Sequence, residues 1–276
     1  MTDPKQFIKH HKIDLSAGVM QQIVDNFHIE MANGLEGKAG SLRMIPTYIE
    51  ADNEFATGVP VLAIDAGGTH FRVAMVQFSR DGKLEISDLK NFPMPGIERE
   101  VSKKEFFNII ASYLNGYAEN ASRIGFCFSY PTEILSNKDG RLLQFCKEVQ
   151  APEVVGQLIG ASLLDTLGMS GKPIVLLNDT VATLLAGKSE SYGKSYDSFI
   201  GFILGTGTNT CYIESNENIV KTSGLVRSKS QIINIESGNF ALATRTDIDI
   251  TFDNTTSNPG QYSFEKMFAG GYFGGL

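Results

Sequence analysis

The chain has 276 residues, enough for one large or two medium domains, and its 42% hydrophobic and 20% charged residues are typical of a globular protein. Its net charge of -7, without a long basic run, argues against nucleic acid as a partner. No stretch reads as a signal peptide or a membrane span, and three scattered cysteines indicate neither a disulfide framework nor a metal cluster, so we expect a cytoplasmic protein.

The N-terminal region is predicted to form a helix followed by a loop. Apolar residues recur every three or four positions, which indicates a helix from Gln6 to about Lys38. A loop is expected from Pro46 to Gly58. The adjacent His10 and His11 have no acidic or cysteine residue at ligand spacing, so a solvated helix face is favoured over a metal site. The apolar face of the helix consists of Val19, Ile23, Phe27 and Met31.

A three-stranded meander and then alternating helices and strands are predicted next. The strands are Pro60–Asp65, His70–Phe78 and Lys83–Lys90. The alternating part consists of helix Lys103–Asn120, strand Arg123–Phe128, helix Glu153–Leu167, strand Pro173–Leu177 and a helix that includes Thr180–Ser189. A meander followed by βαβ units predicts a mixed α/β sheet with helices on both faces.

Residues 198–224 repeat the meander pattern of strand, glycine–threonine turn, strand, polar turn and strand. The turn Gly205–Thr208 takes the place that Ala66–Thr69 has in the first meander, which suggests a duplicated domain with facing loops. Coincidental turn chemistry is the alternative. No βαβ run follows the second meander, so we expect either a fragment or a second domain with an uncovered apolar surface.

Both glycine turns could bind phosphate, because backbone amides without neighbouring β-carbons allow close approach of anion oxygens. Neither GKS triplet has the glycine that a P-loop requires five residues earlier, and the second turn lacks the third glycine of a dinucleotide site. Asp65, at the end of the first strand, suits Mg²⁺ bound mostly through water, or equally a turn-capping contact.

Asn178 and Asp179 follow a continuous apolar strand and precede a helix. The carboxyl end of a buried strand is where α/β sheets bind ligands, which favours a catalytic or binding role. Asn and Asp are also preferred helix caps, and the two roles are compatible.

Six ordered motifs resemble the eukaryotic-type hexokinases. They are LAIDAGGTHFRVAMV, GFCFSYP, LLNDTVATLLAG, IGFILGTGTNTCYIE, INIESGNF and FEKMFAGGYFGGL. The resemblance implies the actin-like ATPase fold, in which two ribonuclease-H-like domains surround a cleft. It also implies a small domain at 58–187 and a partial large domain formed by 1–57 and 188–276. The family's adenosine-binding segment and last connecting helix would lie beyond Leu276, so the second domain is expected to be incomplete without a further C-terminal segment.

The resemblance implies transfer of the ATP γ-phosphoryl group to a hexose 6-hydroxyl, with Asp179 as catalytic base and Asp65 holding Mg²⁺ through water. The residues implied to contact the hexose are Ser129, Lys147, Asn178, Asn209, Glu236 and Glu265. Those implied to contact the phosphates of the nucleotide are Asp65, Gly67, Gly68, Thr69, Arg72, Gly205, Thr206, Gly207 and Thr208. Arg72 could equally be a strand residue that faces solvent.

Three positions depart from the family pattern. His70 replaces an asparagine, Cys146 replaces a threonine, and Ser237 replaces a tryptophan. A hexose-binding or regulatory protein without kinase activity is the alternative function, because the nucleotide-binding part is incomplete. An actin- or chaperone-like ATPase is disfavoured because the sugar-contact motifs are present. A bacterial-type glucokinase with a zinc site is disfavoured because the cysteines lie far apart.

Overall fold

A computed structural model describes residues 3–52, 55–145, 149–191 and 194–273. The chain divides into two compact units, Pro46–Gly201 and Met1–Ile45 with Phe202–Leu276. The domain limits 58 and 187 stay a prediction. Among the described residues, no helix is both long and apolar enough to cross a membrane.

Unit Pro46–Gly201 contains a five-stranded sheet in the order β4-β3-β2-β5-β8. Strand β5 pairs in parallel with both β2 and β8, whereas β3 pairs antiparallel with both β2 and β4, so the predicted mixed sheet is confirmed. The strands are β2 (Val61–Ala66), β3 (His70–Phe78), β4 (Leu84–Pro93), β5 (Arg123–Phe128) and β8 (Ile174–Leu177). The helices of this unit are α3 (Lys103–Tyr113), α4 (Ile159–Thr166) and α5 (Asp179–Glu190).

Alternation along β2 and β5 separates a core face from a face with polar side chains. Ile64 lies opposite Phe126 and both are buried, with the aromatic residues of α3 in the same core. The intervening pair, Asp65 and Cys127, is only partly buried and points to the other face, since successive strand residues alternate in direction. The sheet therefore presents Asp65 away from its main core.

Two helices of this unit are shorter than predicted, and glycines explain the difference. The predicted helix 103–120 ends at Tyr113, shortly before Gly116, which has a left-handed φ of 82°. The predicted helix 153–167 is a short 3₁₀ turn followed by α4, and Gly156 between them also has a φ of 82°. Glycine adopts this conformation without the steric penalty of a β-carbon, so it ends helices readily.

A short hairpin of this unit was not predicted. It consists of β6 (Thr132–Ile134) and β7 (Gly140–Leu142). The buried Asp139 at its turn accepts hydrogen bonds of 2.7 Å from the Gly160 amide and 2.9 Å from the Ala161 amide. The hairpin thereby caps the first turn of α4, whose amides have no partner within the helix.

The other unit begins with two helices, where one was predicted. They are α1 (Pro4–His10) and α2 (Ala17–Glu36). Lys12 has a left-handed φ of 52°, and the Ser16 hydroxyl accepts from the Val19 amide to start a new helix. His11 contacts Asp247 at 2.9 Å, a partner that its sequence neighbours could not reveal. The apolar face of α2 is confirmed for Ile23, Phe27 and Met31, which pack on this unit's core.

A four-stranded sheet follows the order β1-β11-β10-β9. Its strands are β1 (Ile45–Glu50), β9 (Ile200–Leu204), β10 (Thr208–Ser215) and β11 (Ser230–Asn234). The predicted loop from Pro46 is wrong for its first residues, which form β1. Pro46 is tolerated because β1 is an outer strand, where an amide is not needed for pairing.

The third strand of the second meander was predicted too early. The segment after β10 forms a 3₁₀ turn, Asn216–Asn218, and the Val220 and Lys221 amides then donate to the Leu35 carbonyl at the end of α2. The strand that pairs with β10 is β11. Ile219 is buried in the same core cluster as Leu35 of α2, so the apolar residue of this segment packs on the helix and does not indicate a strand.

The last described residues form three short helices, α6 (Asp247–Asp253), α7 (Ser263–Phe268) and α8 (Gly270–Phe273). In the four-stranded sheet, β9 is the outer strand at the end opposite β1. Its alternate residues Ile200, Phe202 and Leu204 are 72%, 53% and 57% exposed.

Candidate functional site

The first glycine turn connects β2 to β3 and is fixed by hydrogen bonds to its backbone. Gly67 donates its amide to the His70 carbonyl at 3.0 Å and accepts from the Tyr130 hydroxyl at 2.7 Å. The Thr69 carbonyl accepts from the Met94 amide at 3.1 Å. Within the described part of the chain, the amides of Gly68 and Thr69 have no hydrogen-bond partner, so they are the donors that a phosphate could use.

Asp65 and Arg72 form an ion pair beside this turn. They lie opposite each other in β2 and β3, and Arg72 Nη1 lies 2.9 Å from Asp65 Oδ2. Arg72 therefore does not simply extend into water, although its side chain is 53% exposed. Among the described residues, no three His, Cys, Asp or Glu side chains form a metal-binding group. A lone carboxylate still suits Mg²⁺, which usually keeps several waters and binds phosphate oxygens.

Asn178 and Asp179 lie where the sequence predicts, at the junction of β8 and α5. The Asn178 side chain is the N-cap of α5 and accepts from the Thr180 amide at 2.9 Å. Asp179 Oδ1 accepts from the same amide at 2.8 Å. Asp179 Oδ2 makes no hydrogen bond to any residue that the structure describes. The capping role of Asn178 is thus observed, and one oxygen of Asp179 remains available to a ligand.

The Cys127 thiol connects these carboxylates. Burial first, and then the charge of Asp65, raises the pKa of Cys127 to about 12, and the charge of Asp179 acts in the same direction. The strand pairing gives the geometry: Cys127 lies opposite Asp65 in β2 and opposite Leu177 in β8, two residues before Asp179. Ser129 Oγ is 3.8 Å from Cys127 Sγ. Asp65, Ser129 and Asp179 thus occur together at the carboxyl ends of adjacent parallel strands, the edge where such sheets bind ligands. The remaining predicted hexose contact before β8, Lys147, and its neighbour Cys146 lie outside the described residues.

The second glycine turn lies between β9 and β10, in the other unit. Gly205 donates its amide to the Gly207 carbonyl at 2.9 Å, and the Thr208 amide donates to Glu265 Oε2 at 2.8 Å. Two of the four predicted phosphate-binding amides are therefore already used by the protein. The amides of Thr206 and Gly207 have no partner in the described part of the chain, so phosphate binding here would use those two.

Asn209 and Glu236 meet in one hydrogen-bonded cluster. The Asn209 amide group donates to Glu236 Oε1 at 3.2 Å and to Asn234 Oδ1 at 2.8 Å. Asn234 also donates to Glu236 Oε1 at 2.8 Å. Glu236 has a φ of 60°, a left-handed conformation that costs about 1–2 kcal/mol for a residue with a β-carbon. Such strain is typical of functional sites.

Glu265 is the third predicted residue of this unit, and its carboxylate faces the second glycine turn. Besides the Thr208 amide, it accepts from the Tyr272 hydroxyl, at 3.3 Å to Oε1. Glu265 belongs to α7, which contacts the short 3₁₀ turn Ser237–Asn239. The structure therefore brings Asn209, Glu236 and Glu265 to neighbouring positions around the start of β10.

Family models described as hexokinase match residues 6–189 and 199–276 of the chain. The chain belongs to the hexokinase family. A rice hexokinase, Hexokinase-10 of Oryza sativa subsp. japonica, is 34% identical over 271 residues, covering 94% of this chain and 53% of the relative. Hexokinase-3 of Arabidopsis thaliana is 31% identical over 284 residues, covering 95% of this chain and 56% of the relative.

Solved hexokinase structures are also similar. The hexokinase from Schistosoma mansoni complexed with glucose has 27% identity and a TM-score of 0.78, and the match covers 98% of this chain and 64% of that one. A second hexokinase crystal structure has 27% identity and a TM-score of 0.76, covering 95% and 63%. The resemblance and the actin-like ATPase fold are thereby confirmed. This hexokinase-family chain spans about half the length of the curated relatives it matches.

Sequence reasoning missed two polar residues around the predicted site. Asn234 ends β11 two residues before Glu236 and donates to its carboxylate at 2.8 Å, and this closeness in sequence is the signal that could have identified it. Tyr130, within the FSYP motif, supports the first turn through its hydroxyl. Nothing in the sequence alone relates Tyr130 to Gly67, because the contact joins residues from two different strand ends.

Proposed function

We propose that the chain transfers the γ-phosphoryl group of ATP to the 6-hydroxyl of glucose or a related hexose. The observation that carries this proposal is the Asp179 carboxylate. It starts α5 at the carboxyl edge of the parallel strands, follows Leu177, which pairs with Cys127 opposite Asp65, and keeps one oxygen without a partner among the described residues. Membership of the hexokinase family supports the choice of reaction.

Asp179 would act on the hydroxyl of the acceptor. The hydroxyl oxygen attacks the γ-phosphorus, the bond from phosphorus to the β–γ bridging oxygen breaks, and the hydroxyl proton passes to the Asp179 carboxylate. A carboxylate is too weak a base to remove an alcohol proton before attack. We therefore infer that Asp179 mainly orients the hydroxyl and accepts its proton late, with positioning supplying much of the rate.

The two glycine turns and the Asp65–Arg72 pair would hold the nucleotide's phosphates. Amides of Gly68, Thr69, Thr206 and Gly207 are the free donors described above, and they suit anionic oxygens. Mg²⁺ would enter with ATP as part of the substrate, with Asp65 as an outer ligand through water. Its bound charge would neutralise phosphate oxygens.

The hexose would be recognised by Ser129, Lys147, Asn178, Asn209, Glu236 and Glu265. Amide groups both donate and accept, and carboxylates accept, so this set can pair with several sugar hydroxyls at once. A site of this kind discriminates strongly against analogues that lack a hydroxyl, because its own polar groups would lose their partners.

Replacement of Asp179 tests the proposal. Asp179→Ala should lower hexose phosphorylation at least about a hundredfold, the usual contribution of a general base, while the hexose Kd stays within about tenfold. Asp165→Ala, an exposed carboxylate of α4, is the matched control and should keep full turnover.

Unchanged turnover in Asp179→Ala would remove that residue from the mechanism. Hexose binding without any turnover in the unsubstituted chain would favour a hexose-binding or regulatory protein. Both outcomes follow from a coupled assay and calorimetry on the same preparation.

A further inference from the structure

The second glycine turn is held by one later segment of the chain, residues 265–271. Glu265 Oε2 accepts a hydrogen bond of 2.8 Å from the Thr208 amide. At the start of α8, the Gly270 amide donates to the Gly205 carbonyl at 2.7 Å, and the next amide along the chain donates to the Thr206 carbonyl at 2.9 Å. The turn thus receives support at both ends and in the middle from a segment that follows it by about 60 residues in sequence.

The backbone closes tightly around the Glu265 carboxylate. A β-carbon placed on Gly207 would lie 2.6 Å from Glu265 Oε2, and one placed on Gly238 would lie 3.1 Å from the same atom. At less than 3.0 Å one of the two groups has to shift, so an alanine at Gly207 would move the Glu265 carboxylate from this position. At Gly205, in contrast, a β-carbon would meet nothing within 4 Å. The absence of a side chain at Gly207 therefore makes room for the Glu265 carboxylate, whereas a side chain at Gly205 would not contact it.

A buried ion pair fixes the segment itself. Lys266, next to Glu265, donates to Asp253 Oδ1 at 2.7 Å, and to Thr256 Oγ1 and the Asn258 carbonyl at 2.8 and 2.7 Å. Arg245 donates to the other Asp253 oxygen at 2.7 Å. One ammonium group therefore uses all three of its donors to hold the loop that precedes α7.

We propose that Glu265 is a positioning residue of the second glycine turn, in addition to its predicted contact with the hexose. Its carboxylate fixes the Thr208 amide and so sets the orientation of the free Thr206 and Gly207 amides. This inference rests on the proposed function for the identity of the ligand, a polyphosphate. Because one carboxylate serves both the turn and the sugar, hexose binding and phosphate binding are coupled through Glu265.

Hydrogen exchange of the Thr208 amide, followed by NMR, tests the positioning role without any ligand. Glu265→Ala should speed this exchange at least tenfold. Glu265→Gln retains an oxygen that can accept from the amide and should restore exchange to within about threefold of the parent, although it alters the carboxylate offered to the sugar.

Tripolyphosphate, a triphosphate without adenosine, tests the consequence for the ligand in the absence of hexose. Its Kd, read from the shifts of the Thr206 and Gly207 amides, should rise at least fivefold in Glu265→Ala and stay within twofold in Glu265→Gln. A residue that touches only the sugar would leave both this Kd and the exchange rate unchanged, and that result would overturn the inference.

Glycine substitutions provide a second route that keeps the carboxylate. Gly207→Ala should displace Glu265 and accelerate Thr208 exchange as Glu265→Ala does, whereas Gly205→Ala should leave the exchange unaltered. If the Thr208 amide exchanges equally fast in Gly207→Ala and Gly205→Ala, the proposal is contradicted, even if Glu265→Ala does not fold. If tripolyphosphate fails to bind the unsubstituted chain, the proposed function loses its phosphate site, while the exchange measurements still decide the role of Glu265.

Discussion

The two glycine–threonine turns share their residue types but differ in what supports them. The first is held by the neutral hydroxyl of Tyr130, and its neighbouring ion pair, Asp65 with Arg72, is 39% and 53% exposed. The second is held by a carboxylate whose helix is anchored by Asp253 and Lys266, with side chains only 6% and 3% exposed. Buried charges depend on their partners far more than exposed ones. Similar turns can therefore respond very differently to substitution.

The largest effect is expected at the anchor of the second turn. Lys266→Met removes the ammonium but keeps most of the side-chain volume, leaving Asp253 buried with fewer partners. Breaking a buried pair usually costs about 3–5 kcal/mol in the free energy of unfolding. Denaturant titration measures this loss. Lys104→Met, at an exposed position of α3, is the control and should stay within about 0.5 kcal/mol.

The pH dependence of stability tests the same anchor. Burial acts to raise the pKa of Asp253, but hydrogen bonds, first from Lys266, outweigh it and lower that pKa from 3.8 to about 2. A lowered folded-state pKa stabilises the fold above pH 4, and this contribution, about 2 kcal/mol, is lost as the pH falls from 4 to 2. Asp253→Asn should remove that part of the pH dependence. A variant with the parent's acid profile would show that another carboxylate is responsible.

A smaller effect is expected at the first turn. Tyr130→Phe removes the hydroxyl that donates to the Gly67 carbonyl while keeping the buried ring. Loss of one neutral hydrogen bond should lower the free energy of unfolding by about 1 kcal/mol. Tyr196→Phe, at a side chain that is 57% exposed, provides the comparison. A loss as large as that of Lys266→Met would remove the contrast between the turns.

The smallest effect is expected for the exposed pair. Arg72→Ala should change the free energy of unfolding by less than about 1 kcal/mol, because solvent and salt screen an exposed ion pair. The difference from the parent should shrink further at high salt. A large effect that persists in salt would place the pair in the same class as Asp253 and Lys266.

Much of the fold follows from local sequence patterns. β3 and β5 have the predicted limits, His70–Phe78 and Arg123–Phe128, because alternating apolar residues and turn residues determine short strands directly. The errors occur where a distant contact decides. Residues 219–221 dock on α2 instead of forming a strand, and residues 45–50 pair as an outer strand although they contain proline.

The candidate site shows the same division. Asp179 was identifiable as a polar residue at the end of an apolar strand, and Asn178 as a helix cap. The contact between Glu265 and the Thr208 amide was not, because the two are 57 residues apart and no periodicity relates them. The two glycine turns were visible as a repeat, whereas their different supports depend on tertiary packing.

The exposed apolar side chains of β9 affect how the purified protein should be handled. Ile200, Phe202 and Leu204 expose apolar side chains on an edge strand. An edge strand can pair with a strand from a neighbouring molecule. Concentrated samples are therefore expected to aggregate through this strand. Dilute storage or a mild detergent would keep the molecules separate.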